Sequence, residues 1–311
     1  MGNINTAVRY IPGAKAKPKE LVDLTRQFRQ RDNADFLAEV AKQLAAKSKD
    51  QGPAGTGFDP GGVACIGLIG EYGLIGYGIR RAQELIRVDH MPSYWSHAFL
   101  ITAPLSTNAA TNRAAGDSAW IWESTLEPAT MFNHFVNRNG VGPRRIGDYA
   151  PAKFDLFAPH SVPNVAVLAI GLTPAERTAI LDRADDPDVD QLRYDIAGLL
   201  GTWYAYITNQ ANQPNPLASG HAIYCSAYVQ LAYDAAGIDL APGAHQRNTA
   251  PEHLWQAAKY LRATFRVSDR LTDKLEPRPL MGWYCVRDPA CLVAPVGVEL
   301  PRTMTELIGK L

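Results

Sequence analysis

Residues 221–237 read HAIYCSAYVQLAYDAAG, and they put a cysteine where a helix is expected to begin. After Cys225, small and apolar residues recur at Tyr228, Val229, Ala232, Ala235 and Ala236, the three-and-four spacing of a core-facing helical stripe, and Gly237 supplies a stop. Cys225 then falls in the first turn. There the unpaired backbone N–H groups and the positive end of the helix dipole favour a thiolate, the reactive form of the side chain. Read as chemistry, Cys225 is a candidate nucleophile; read as packing, it is a small buried hydrophobe on the inner face of an ordinary helix.

A cysteine nucleophile needs an imidazole to take its proton, and the imidazole needs a third polar group to fix its orientation. Seven histidines compete. His97 lies inside an expected strand, Tyr94 to Thr102, where alternation puts His97, Phe99 and Ile101 on one face. His221 is the rival, four residues before Cys225 but in a stretch expected to be a loop. The other five fall in expected loops or helix starts. Glu123 sits at the end of a second strand, Ala119 to Ser124, and a carboxylate there must be paired or hydrogen-bonded to stay charged. If the two strands run antiparallel, His97 and Glu123 share a face. An ion pair with an arginine is the structural alternative for Glu123, and Glu127 is the other candidate third member. A zinc site from His97, His221 and Cys225 lacks ligand spacing, and no GxSxG elbow occurs. Neither a metal nor a cofactor is expected.

The 311 residues carry 31 basic and 31 acidic side chains and are 46% hydrophobic. That balance fits a globular domain with a sizeable core and gives no pull towards nucleic acid or an anionic membrane. No apolar run is long enough to span a bilayer, and the N-terminal residues lack a signal-peptide core. Four cysteines with no CxxC pair do not make a disulfide framework. The expected location is therefore cytoplasmic, or outside the cell by a route that reads no Sec signal.

Lys19 to Arg31 and Asn33 to Lys47 read as two amphipathic helices, an N-terminal hairpin; the second has a stripe of Phe36, Leu37, Val40 and Leu44 behind an Asn33 cap. The Gly- and Pro-rich residues 50–62 read as a linker, giving a helical segment 1–50 and a main domain 51–311. Val63 to Ile69 and Asn164 to Leu172 are expected strands, and RATFRV (262–267) and GWYCVRD (282–288) closing strands. The glycines of GEYGLIGYG (70–78) match no phosphate-binding pattern. Thr173 with Glu176, and Thr249 with Glu252, each form a capping-box pattern, and Tyr194 to Thr208 reads as an aromatic helix. Asp185 to Asp190 reads as an acidic loop without calcium-loop spacing.

The order of these features, SHAFLI, then WIWES, then YCSAYVQLAYDAAGIDL, resembles the circularly permuted branch of the NlpC-type papain-like superfamily, the YiiX-like amidases and peptidases. Tyr194-Asp195 and Thr249 to Leu254 are similar to later elements of that branch, and the resemblance covers roughly residues 60 to 270. It implies an α+β fold of the permuted papain-like type: an antiparallel sheet packed on the helix that carries the cysteine. It implies Cys225 as nucleophile, His97 as base and Glu123 as the orienting residue. The backbone N–H of Cys225 would hold an oxyanion, with Tyr72 or Tyr94 as a second donor. The implied activity is amide hydrolysis, with a peptide or peptidoglycan fragment as substrate. An antibacterial effector with a delivery or immunity partner is one setting. Lipid acyl hydrolysis or transfer, as in lecithin retinol acyltransferase-like enzymes, and a non-catalytic peptide-binding domain are the alternatives. Two departures, the segment EPATMFNHFVNRNGVGPRR (127–145) and Ala227 after the Cys-Ser pair, bear on substrate.

Overall fold

The run NVAVLAI, Asn164–Ile170, has every residue buried, so this strand is covered on both faces and its sequence shows no apolar-polar alternation. The computed structural model describes residues 33–49, 55–71, 74–87, 90–113, 120–126, 139–149, 164–260 and 282–287, all inside one unit, Arg31–Arg287. They form a mixed α+β structure around a six-stranded sheet: β1 (Ile66–Gly70), β2 (His97–Ile101), β3 (Trp120–Leu126), β4 (Asn139–Arg145), β5 (Asn164–Ile170) and β6 (Gly282–Val286). The spatial order is β4-β3-β2-β1-β5-β6, and every neighbouring pair is antiparallel.

One face of the sheet meets helix α1 (Asn33–Lys47). The α1 stripe Phe36, Leu37, Val40 and Leu44 forms a single buried core with Ile69, Phe99, Ile101, Ile121, Val165 and Val167. This helix therefore shares its core with the sheet, on the other side of the boundary expected near residue 50. The Asn33 amide donates to the carbonyl of Tyr149. The alternate strand residues Leu68, Ala98, Leu100, Ala166 and Leu168 are equally buried on the opposite face.

Among the described residues the remaining helices are α2 (Leu74–Ala82), α3 (Ala109–Arg113), α4 (Pro174–Ala184), α5 (Pro187–Asp190), α6 (Ile196–Ile207), α7 (Cys225–Asp234) and α8 (Pro251–Tyr260). Helix α7 lies against β2, β3 and α4. It ends at Asp234 with Ala235 as its C-cap, short of the stop expected at Gly237, whose φ of 67° instead serves the turn that follows. The α4 capping box also forms: Thr173 accepts from the Glu176 N–H, and the Glu176 carboxylate accepts from the Thr173 N–H.

Other expectations are corrected. The Thr249–Glu252 box does not form, because the Glu252 N–H donates to Gln83 Oε1 (2.8 Å) and its carboxylate accepts from Ser93 Oγ (2.7 Å). Thr249 Oγ1 is left buried without a partner. Asp185 to Asp190 is not all loop, since Asp186 caps the short helix α5. Strand β4 lies in the segment given no element from the sequence; it holds Pro143, and as the edge strand it tolerates a residue that cannot donate. The helix over Lys19 to Arg31 and the strand RATFRV lie outside the described residues. No described helix is long and apolar enough to cross a membrane.

Gly67 joins the core to the site. A Cβ there would lie 2.0 Å from the Phe99 ring, and that ring is stacked on Tyr149 at 5.7 Å and 8°. The aromatic pair cannot retreat without disturbing the polar cluster beyond it. Gly67→Ala is expected to destabilise the fold by about 1–3 kcal/mol through overpacking, read as a lower urea midpoint at unchanged slope; an unchanged midpoint would show that Phe99 moves freely.

Candidate active site

His97 is the first residue of β2, paired with Ile69. Beside it, β2 and β3 pair through Leu100↔Trp122 and Ile101↔Ile121, which sets Glu123 on the same face as Ile121 and Ile101. The His97 Nε2 atom is 2.7 Å from Glu123 Oε2. The carboxylate is 1% exposed, and two further donors satisfy it: the Tyr149 hydroxyl to Oε2 (2.7 Å) and Arg144 Nη1 to Oε1 (3.2 Å). The expectation that Glu123 meets either His97 or an arginine resolves into both at once.

Cys225 opens α7 and is buried. Its approach is fixed on each side. Ser124, the neighbour of Glu123 on β3, donates through Oγ to the Ile223 carbonyl (2.6 Å). Backbone bonds join Arg193 to His221 and Ile223. The Tyr224 hydroxyl donates to the Arg247 carbonyl (2.7 Å), and Ser226 Oγ donates to the Thr249 carbonyl (2.7 Å). Tyr224 makes no side-chain cap on the helix, so no hydroxyl or carboxylate of that residue covers the first turn.

The sulfur and the carboxylate act on the same ring. Burial disfavours a charged imidazole, but the charges of Cys225 and Glu123, with side-chain hydrogen bonds to both, outweigh it and raise the His97 pKa to about 10. With Nε2 on Glu123, Nδ1 is the nitrogen left for Cys225. For Glu123, burial pushes the pKa up, but the His97 charge and hydrogen bond, then Arg144 and the Tyr149 hydroxyl, bring it down to about 2. Burial and the Glu123 charge keep Tyr149 a protonated donor far above the usual phenol range.

The other candidates separate. His221 is exposed and engages through its backbone carbonyl. His253 is half-buried and held neutral by desolvation, its pKa about 4, with Nδ1 accepting from the Ala250 N–H. His90 is exposed, and His245 Nδ1 accepts from the Arg247 N–H. Glu127, Tyr72, His134 and His160 lie outside the described residues. The Tyr94 hydroxyl accepts from Arg87 Nη2 (2.9 Å), and the Arg87 guanidinium lies 4.1 Å from its ring centre. A different tyrosine senses the sulfur: burial and then the charge of Cys225 hold the Tyr194 phenol protonated well above its ordinary range. Among the described residues no three His, Cys, Asp or Glu side chains are grouped as a metal site.

Arg144, Tyr149 and Tyr194 were not singled out as site residues by the sequence. For Arg144 the signal would have been register, since Ile121↔Arg144 puts it on the Glu123 face, but β4 has no alternation from which to read that register.

No family model, curated protein or solved structure matches the chain.

The charge state of His97 is testable. Histidine NMR should show an imidazolium at pH 7 that titrates near pH 10, with a lower midpoint in Glu123→Gln because one of the raising charges is gone. A raised pKa supports the fold below the ordinary histidine range and loses that support as pH rises through about 10. For Glu123 the support is present above the ordinary carboxylate range and is lost as pH falls through about 2. A ring neutral at pH 7 would overturn this assignment.

Proposed function

We propose that the protein is a cysteine hydrolase that cleaves an amide bond, with Cys225 as nucleophile, His97 as base and acid, and Glu123 as the orienting carboxylate, in a permuted papain-like arrangement. The observation that carries this reading is the chain from a buried sulfur through a half-buried imidazole to a buried carboxylate engaged by His97, Tyr149 and Arg144. This ring interacts with both the Cys225 sulfur and the Glu123 carboxylate, and together they favour its charged form.

The chemistry follows from acyl transfer. The Cys225 thiolate attacks the carbonyl carbon, and the negative charge moves to the carbonyl oxygen. The N–H of Cys225 at the uncapped helix start donates to that oxyanion, and the Tyr194 phenol, which feels the Cys225 charge, is the second donor we favour, with Tyr72 and Tyr94 as the alternatives. His97 then gives its proton to the departing amine as the C–N bond breaks, leaving a thioester. Water activated by the neutral imidazole attacks the thioester, releases the acid and returns the proton to the ring. Glu123 holds one ring orientation throughout. The substrate class we favour is a peptide, with peptidoglycan stem peptides first; lipid acyl hydrolysis would use the same three side chains.

Incubation with purified peptidoglycan and with a phospholipid panel, followed by mass spectrometry, separates these readings. New peptide fragments from wild type and none from Cys225→Ala support the amidase; released fatty acid supports the lipid reading; neither product from any substrate, with no thiol labelling at Cys225, removes the enzymatic one. His97→Ala should lose about 10²–10⁴-fold in rate. Tyr194→Phe should lower kcat by about 10²-fold with little change in KM. Wild-type activity should fall as pH rises through about 10, where His97 loses its proton, and Glu123→Gln should move that limb to lower pH. Iodoacetamide should label Cys225 in preference to Cys65, whose buried thiol is pushed far up by desolvation and by Asp59.

A further inference from the structure

Helix α6 is built inside out. Its buried positions are the small or polar Gly198, Gly201, Thr202 and Ala205, while Ile196, Leu200, Tyr204 and Ile207, together with Leu217 from the following loop, are each at least 50% exposed. The four helical residues fall within one side of the helix, spaced four, four and three. Leu217 covers Gly201 at the flank of this stripe, its Cβ 3.0 Å from where a Cβ on Gly201 would stand. Leu199, Trp203 and Tyr206 are half-buried, and the rest of the helix's large apolar side chains face outward.

We propose that this stripe is the interface of a homodimer, helix α6 packing on α6 of a second copy across a twofold axis. Two features select that occupant. From Ile196 to Tyr233 the chain has no Asp, Glu, Lys or Arg. A twofold contact sets a surface against itself, so a charged stripe would repel its own copy and this one does not. The same lack of basic residues gives the stripe nothing with which to hold anionic lipid headgroups. In addition, Ile196, Leu200 and Tyr204 form an i, i+4, i+8 ridge, and two such ridges interdigitate at about −50°, the commonest helix crossing. The five side chains offer about 500 Å² per copy, about 1,000 Å² in the pair, which is the lower bound for a specific contact. The dimer is therefore concentration-dependent, and Leu200, at the centre of the ridge, faces its own counterpart.

Light scattering or sedimentation of the full chain, from about 5 to about 200 µM, should show the mass rise from one chain to two. Leu200→Glu and Leu200→Lys should each weaken association at least about tenfold, because like charges then meet across the axis. Mixing the two variants should restore the dimer, since Glu then faces Lys. Tyr204→Asp and Tyr204→Arg form a second pair on the same ridge, should either Leu200 variant fold poorly by circular dichroism. A wild-type chain monomeric throughout, a dimer indifferent to these substitutions, or a mixture that stays monomeric would each overturn the proposal. So would wild type that floats with phosphatidylcholine vesicles while remaining monomeric in solution, which would assign the stripe to a lipid surface.

Discussion

A carboxylate almost wholly removed from water governs the arrangement of this molecule. Unpaired, Glu123 would take up a proton or force the sheet apart, since burying a lone charge costs several kcal/mol or more, on the order of the whole stability of a domain. It is kept ionised by three donors from three places: His97 on β2, Arg144 on β4 and Tyr149 in the turn after β4. The positions of β2, β3 and β4 are thus tied by polar contacts as well as by backbone pairing. Removing His97 or Arg144 takes a positive charge from the carboxylate, and removing Tyr149 takes a neutral donor.

The same cluster links hydrocarbon to chemistry. Tyr149 presents its hydroxyl to Glu123 and its ring to Phe99, while its carbonyl accepts from Asn33 at the start of α1. Phe99 can lie flat across β1 because Gly67 has no side chain beneath it. Packing of α1 on the sheet and orientation of the imidazole are therefore parts of one construction.

Much of this was legible in the sequence for definite reasons. Strand alternation is strict, so His97, Phe99 and Ile101 share a face, and an antiparallel neighbour brings Glu123 to that face. The helical period after Cys225 and the glycine at 237 likewise leave little freedom. What could not be read was anything settled by contacts distant along the chain. Thr249 and Glu252 have the pattern of a capping box, yet Ser93 and Gln83, remote in sequence, claim the acidic residue and its amide. NGVGPRR has none of the alternation of a strand because it forms an edge, and so Arg144 went unseen.

Ser124 and Glu123 are adjacent on β3 and point to opposite faces, one holding the peptide that leads into Cys225, the other holding His97. Sliding β3 by a single residue would undo both contacts: one way it sets Glu123 against the Ile223 carbonyl and leaves Trp122 before the imidazole, the other way it offers the imidazole only the Ser124 hydroxyl. Such a molecule could not assemble a weakened centre; it would assemble none. Strand alignment is thereby tied to the His97–Glu123 contact, which a misaligned chain would lack altogether.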